Sequence, residues 1–190
     1  MIKAAVTGSI GSGKTTVCKI FEKIGIPVFN CDDVAKEMLY KNKDKIKDLF
    51  GESIFDGENI NRKSLAKVVF NNKEELKKLT NITFPLVETE ISLFWEKYKD
   101  NTYTIVENAI LFETGGEKKF DIIITVTTDD ETRLKRVMAR DNSTIEEVEA
   151  RLKNQLPELY KIQNSDFIIF NDFINDLEEQ VEKIHKKILE

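Results

Sequence analysis

An apolar segment, Ile2 to Thr7, runs straight into Gly8-Ser9-Ile10-Gly11-Ser12-Gly13-Lys14-Thr15, and an amphipathic pattern follows at once. That order of strand, glycine-rich turn and helix constrains the fold more than any other feature of the chain. It aims several backbone N–H groups at one point, where the positive end of a helix dipole favours an anionic phosphate. Gly8, Gly11 and Gly13 let the backbone approach the phosphate closely. Behind the loop, Val17, Ile20, Phe21 and Ile24 follow i, i+3, i+4, i+7 spacing and predict one buried helix face. Gly25 suits the position just past that helix, and Pro27 lies beyond it. The expectation is a nucleoside-triphosphate site built from Gly11, Ser12, Gly13, Lys14, Thr15 and Thr16, with Lys14 on the terminal phosphates and the Thr15 hydroxyl on Mg²⁺.

The chain has 190 residues, 41% of them hydrophobic, which suits one compact domain with a small insert or lid. Its net charge of −5 argues against non-specific nucleic-acid binding, although it leaves room for a local basic cleft. No apolar run approaches the ~20 residues that cross a bilayer, and the N-terminus lacks a signal-peptide pattern. A cytoplasmic protein with no membrane partner, monomeric or weakly self-associating, is expected. Cys18 and Cys31 are too few for a disulfide framework or a zinc site, and His185 sits as a bystander in a charged C-terminal helix.

Further β-rich segments recur at Val28 to Phe29, Tyr103 to Val106, Ile122 to Val126 and Phe167 to Phe170, separated by helical patterns. Such alternation predicts an α/β fold, a parallel sheet with helices on both faces and ligands at the carboxyl ends of its strands. Pro85 reads as the first residue of a helix striped by Val87, Ile91, Phe94, Trp95 and Tyr98. Ser143 with Glu146 reads as a capping box for a helix running towards Gln155. Ile174, Leu177, Val181, Ile184 and Ile188 share one side of the last helix. Between Phe50 and Tyr98 the pattern is helical with no central strand, as in an inserted subdomain where a second substrate could bind.

Asp32 and Asp33 follow the second strand at the crevice end of the sheet. A carboxylate there can take the proton of an attacking hydroxyl or hold Mg²⁺ through water, while its neighbour can cap the next helix. Glu107 and Asn108 end the third strand and point the same way, or else tie down neighbouring loops. Arg133, Arg136 and Arg140 share a helix face, which reads either as a solvated row or as a lid over phosphates. Asp48-Leu49-Phe50-Gly51 fits a DxxG pattern but follows a lysine-rich helix, and no NKxD sequence accompanies it, so a GTPase is disfavoured.

Taken together, these residues resemble the dephospho-CoA kinase family over nearly the whole chain. Thr7 to Thr16 is similar to the family's TGxIGSGK(S/T)T loop, and Gly25 to Asp33 to its GxxVxDAD or IPVYxSDD segment. Phe50-Gly51, Ile54, Asp56-Gly57, Arg62 and Leu65 resemble its FG…I…DG…R..L run, and Glu107 to Glu113 its PLLFE or ESAILFE segment. Arg133 to Asp141 resembles xxRxxxRD, and Gln155, Lys161, Ser165-Asp166 and Asn171 resemble the ending Q…K…AD.VI.N. The resemblance implies a P-loop kinase fold with a five-stranded parallel sheet flanked by helices. It places a core at 1–60 and 101–190, a helical insert on the CoA side at about 61–100 and a lid at about 133–155.

The implied activity is ATP-dependent phosphorylation of the ribose 3′-hydroxyl of dephospho-CoA, with Mg²⁺. The alternatives are another nucleoside or nucleotide kinase of this fold, or a non-catalytic nucleotide-binding module. The resemblance makes Asp32 the candidate base ahead of Asp33, and Lys14, Arg136 and Arg140 its catalytic companions, the arginines acting as lid residues. Asn171 joins the ATP-binding set; Asp32, Arg62, Glu107 and Lys161 form the acceptor side. Departures from the family pattern are Phe84 before Pro85 in place of histidine, Asn30 in place of a first aspartate, Ala109 in place of proline and Ser9 in place of a loop glycine.

Overall fold

The computed structural model describes residues 1–172 and 177–190, so Ile174 of the expected apolar stripe lies outside the described residues. The chain divides into two compact units, Met1–Asn30 with Trp95–Glu190, and Cys31–Phe94.

The first unit is built on a five-stranded parallel sheet: β1 (Ile2–Thr7), β2 (Val28–Asn30), β5 (Tyr103–Glu107), β6 (Ile122–Thr127) and β7 (Phe167–Phe170), in the order β2-β5-β1-β6-β7. These segments are apolar because the sheet is covered on both sides. Alternate residues of β1 serve the two faces: Ala4 and Val6 join Val17, Phe21, Ile105, Ile124 and Val181, while Ala5 joins Leu111, Phe112 and Ile123. Each large side chain buried this way contributes about 1.5–3 kcal/mol.

Helix α1 (Lys14–Lys23) starts at the loop. Val17 and Phe21 are fully buried and Ile20 is half-buried, but Ile24, expected on the same face, is exposed. The reason is that the helix has already ended there. Gly25, at φ 87°, donates its N–H to Glu22 O, and Ile26 donates to Phe21 O, the two bonds of a Schellman stop. In the last helix, α9 (Leu177–Leu189), Leu177, Val181, Ile184 and Ile188 are buried. His185 on the same helix has its Nδ1 2.8 Å from Tyr103 Oη, joining α9 to β5.

Helix α6 (Asp130–Asp141) is capped by Asp129, whose carboxylate accepts from Thr132 N–H. It closes with Asn142 in the left-handed region and Ser143 N–H donating to Met138 O. Ser143 thus belongs to the end of α6, which moves the expected capping box one residue on. Thr144 and Glu147 form it, and α7 spans Ile145–Leu152. A short helix α8 (Glu158–Gln163) leads into β7.

The second unit holds α2 (Cys31–Lys41), α3 (Lys43–Phe50), the hairpin β3 (Phe55–Asp56) and β4 (Asn59–Ile60), α4 (Arg62–Phe70) and most of α5 (Lys73–Lys97). Ile46, Ile54, Ile60, Leu65 and Val69 form its core, with Leu76, Leu79 and Ile82 packed on them. Pro85 does not open a helix; it lies inside α5, which begins a dozen residues earlier. Asn72 starts that helix by accepting from the N–H groups of Glu74 and Glu75. An internal proline costs about 3 kcal/mol, which the helix offsets through the buried Val87 and Ile91 after it and the half-buried Leu76, Leu79 and Ile82 ahead of it.

Candidate active site

The glycine-rich loop is held in place by close contacts. A methyl group added at Gly13, where φ is 94°, would fall 1.8 Å from Asn171 Nδ2, and one at Gly8 would fall 2.2 Å from Val126 O. Only glycine permits that approach. Asn171, buried at the end of β7, donates Nδ2 to Ser12 O at 2.8 Å and its own N–H to Thr127 O. The ends of β6 and β7, both on one side of β1, thereby grip the loop. Lys14 folds back over it, its ammonium donating to Gly8 O at 3.0 Å and Ser9 O at 3.2 Å. Thr16 closes the first turn of α1 through Gly13 O.

At the foot of the loop lies Glu107, buried at the end of β5. Its Oε1 accepts from Thr15 Oγ1 at 2.7 Å, and its Oε2 accepts from Asn30 Nδ2, also at 2.7 Å. The Thr15 hydroxyl has one proton, which is committed to Glu107, so its oxygen lone pairs are left for a cation. Hard oxygen donors of this kind suit Mg²⁺, which keeps several waters and takes the rest of its ligands from substrate phosphates. Among the described residues no cluster of three or more His, Cys, Asp or Glu could form a metal cage. Asn108, the other half of the strand-end pair, ties the loop: its N–H reaches Val6 O and its Oδ1 accepts from Ile110 N–H.

Cys18, one turn along α1, is buried beside the same carboxylate. Burial pushes its thiol well above the ordinary range, and the charge of Glu107 adds to the rise. Cys31 is buried as well. Titration of the native chain with a disulfide thiol reagent at pH 8 should therefore show no fast thiol, with both appearing on unfolding in guanidinium; one fast native thiol would refute this.

The three arginines of α6 separate by environment. Arg133 is buried, with ion pairs to Asp130 and Glu158 and a hydrogen bond to Thr128 O. It joins α6 to α8 instead of standing on an open face. Arg136 donates Nη2 to Asn171 O at 3.1 Å, while its Nη1 is buried without a hydrogen-bond partner among the described residues. That nitrogen would lie 3.8 Å from a methyl group at Gly13. A buried, unsatisfied guanidinium N–H is costly, and an anion on the loop would satisfy it. Arg140 is exposed and forms a two-point contact with Asp141, Nε at 2.7 Å and Nη2 at 3.0 Å. Those bonds, together with one from Arg151 at 2.6 Å, hold the Asp141 carboxyl below its usual range.

Lys161 is fully buried, its ammonium on Glu113 Oε1 at 2.8 Å and Ala109 O at 2.9 Å. Glu113 also accepts from Leu156 N–H. Gln155, which carries no charge or periodicity to single it out, accepts from the loop N–H of Ile10 at 3.0 Å and reaches Ala109 O. A cleft of about 390 Å³ opens here, lined by Ser9, Arg133, Lys153, Gln155 and Glu158 among others. In the second unit, Asp32 and Asp33 lie in the first turn of α2, which starts at Cys31, so neither precedes the helix as a cap. Asp32 is exposed, and Asp33 pairs with Lys36 at 2.6 Å. Arg62 is the first residue of α4, capped by Asn61.

Residues 2–176 match the model of the family described as dephospho-CoA kinase. The chain belongs to that family. The dephospho-CoA kinase of Lactobacillus acidophilus is 35% identical over 193 residues, covering 98% of this chain and 96% of its own. The dephospho-CoA kinase of Bacillus thuringiensis is 36% identical, covering 96% and 94%. Among solved structures, the Thermus thermophilus protein TT1252 superposes with a TM-score of 0.88 at 31% identity, over 100% of this chain and 98% of that one. Dephospho-CoA kinase from Campylobacter jejuni gives 0.71 at 30% identity, over 98% and 96%. Shikimate kinase from Acinetobacter baumannii, at 16% identity and a TM-score of 0.53, shares the fold alone. The architecture is that of a P-loop kinase.

Proposed function

We infer that this chain transfers the terminal phosphoryl group of ATP to the ribose 3′-hydroxyl of dephospho-CoA, giving CoA and ADP in the last step of coenzyme A biosynthesis. The observation that carries the donor half is the Nη1 of Arg136 beside Gly13, a buried donor with no partner among the described residues that a loop-bound phosphate would satisfy. The acceptor half rests on membership of the family across the whole length of the chain.

In this reading the N–H groups from Gly11 to Thr16 cradle the phosphates, and Lys14 turns from its own loop carbonyls towards the migrating group. Thr15 Oγ1, with Glu107 beside it, would hold Mg²⁺. The ion supplies neutralising charge along the phosphates. The bond from Thr15 supports giving Glu107 to the metal as well as to the acceptor side expected of it. Arg136 and Asn171 close over the donor, and Arg140 joins them by exchanging Asp141 for a phosphate oxygen. Asp32 takes the proton of the 3′-hydroxyl as that oxygen attacks. Arg62 serves the acceptor. Lys161 acts through Glu113 and Ala109, holding the β5–α8 junction in place without touching substrate.

A coupled assay of ADP release with ATP, Mg²⁺ and dephospho-CoA tests the reading. Release that depends on dephospho-CoA supports it; release no higher than without acceptor overturns it. Among the described residues no helix is long and apolar enough to cross a membrane.

A further inference from the structure

Thr15 accounts for one oxygen of Glu107; the other is held by a residue of a different strand. In the sheet register Glu107 pairs with Val6 of β1 on one side and with Asn30 of β2 on the other. Side chains paired across parallel strands leave the same face, which puts Asn30 directly alongside Glu107. A glutamate has three rotatable side-chain bonds and pivots when held at one oxygen. Held at 2.7 Å through Oε1 by Thr15 and at 2.7 Å through Oε2 by Asn30, the carboxylate has a fixed plane. The residue type also matters. A carboxamide donates without bringing charge, so Glu107 keeps its anionic character. A lysine at that place would neutralise it, and an aspartate would set a second anion against it at hydrogen-bond distance.

We propose that Asn30 is a positioning residue for the divalent cation that accompanies the nucleotide, fixing Glu107 so that its carboxylate and Thr15 Oγ1 act as one rigid set of oxygen donors. The proposal rests on the metal reading above and goes one step further, since it assigns a role to the place where the family has its first aspartate.

The test is equilibrium binding of ADP to the full chain by calorimetry, with and without Mg²⁺, read as the ratio of the two dissociation constants. E107Q should lose most of the Mg²⁺-linked tightening, and this arm examines the metal reading itself. N30L should keep metal-free ADP affinity within about twofold and lower the ratio about tenfold, the size of one hydrogen bond to a charged group. If E107Q retains the full ratio, the metal reading fails. If E107Q loses it and N30L does not, only the role of Asn30 is overturned. Equal weakening of ADP by N30L with and without Mg²⁺, or a collapsed thermal transition, makes Asn30 a structural residue and also overturns the proposal.

Discussion

Replacing Asp32 by asparagine is expected to lower kcat by about 10²- to 10⁴-fold, the range that general base catalysis contributes, while ATP affinity stays near that of the parent chain. Asparagine preserves the shape and the hydrogen-bonding reach of the side chain but cannot take a proton. Asp32 is exposed in the first turn of α2 and contributes nothing to either hydrophobic core, so the substitution leaves the fold intact. The role proposed for Asp32 rests on family membership and on its position two residues after the end of β2 at Asn30. Steady-state kinetics with dephospho-CoA, paired with ADP calorimetry, separates the effects. A variant that turns over normally removes Asp32 from the chemistry. One that loses ADP binding to the same extent as turnover makes it a donor-site residue instead.

The parts of this architecture that were legible in the sequence are those whose signal is contiguous. The five sheet strands appear as short apolar runs because each is covered on both faces, and the glycine-rich loop is a single stretch whose context on both sides supports it. Local signals misled where tertiary packing decides. Pro85 marks a helix start on its own terms, yet Leu76, Leu79 and Ile82 packed against one core ahead of it, and Val87 and Ile91 buried behind it, carry α5 straight through it. Ser143 and Thr144 are both plausible caps, and the choice between them depends on how α6 ends.

The wiring of the site is hardest to read from sequence because its partners are remote in the chain. Thr15 meets Glu107 across 92 residues, and Ile10 meets Gln155 across 145. No periodicity encodes such pairs; the strand order β2-β5-β1-β6-β7 does, by bringing the ends of β2 and β5 to the foot of the loop. The arginine row shows the same limit. Spacing places Arg133, Arg136 and Arg140 on one face, but Glu158 and Asp130 pair with the first and Asp141 with the third, while the second, among the described residues, keeps an unpartnered Nη1 beside Gly13.

Lys14→Ala is expected to cost at least about 10²-fold in kcat/KM, on the scale of losing one preorganised donor to the developing charge, which is about 3–4 kcal/mol. The ammonium has two tasks here. It bridges Gly8 O and Ser9 O, holding those carbonyls turned inward, and in the proposed reaction it is the cation that meets the migrating group. Alanine removes both, so ADP should bind more weakly as well, by about tenfold or less, because the backbone cradle and Arg136 remain. The larger share of the loss must then fall on kcat, since charge on the transferring group grows towards the transition state. A variant that raised KM for ATP while keeping kcat would show Lys14 binding ground state and transition state equally, and would move the catalytic burden to Arg136 and Arg140. Lys14→Met separates the tasks further, since it fills the same buried volume without charge or donor. If methionine restores the thermal transition but not turnover, the loop clamp and the phosphoryl-transfer role are distinct; recovery of turnover would leave the charge without a role in transfer.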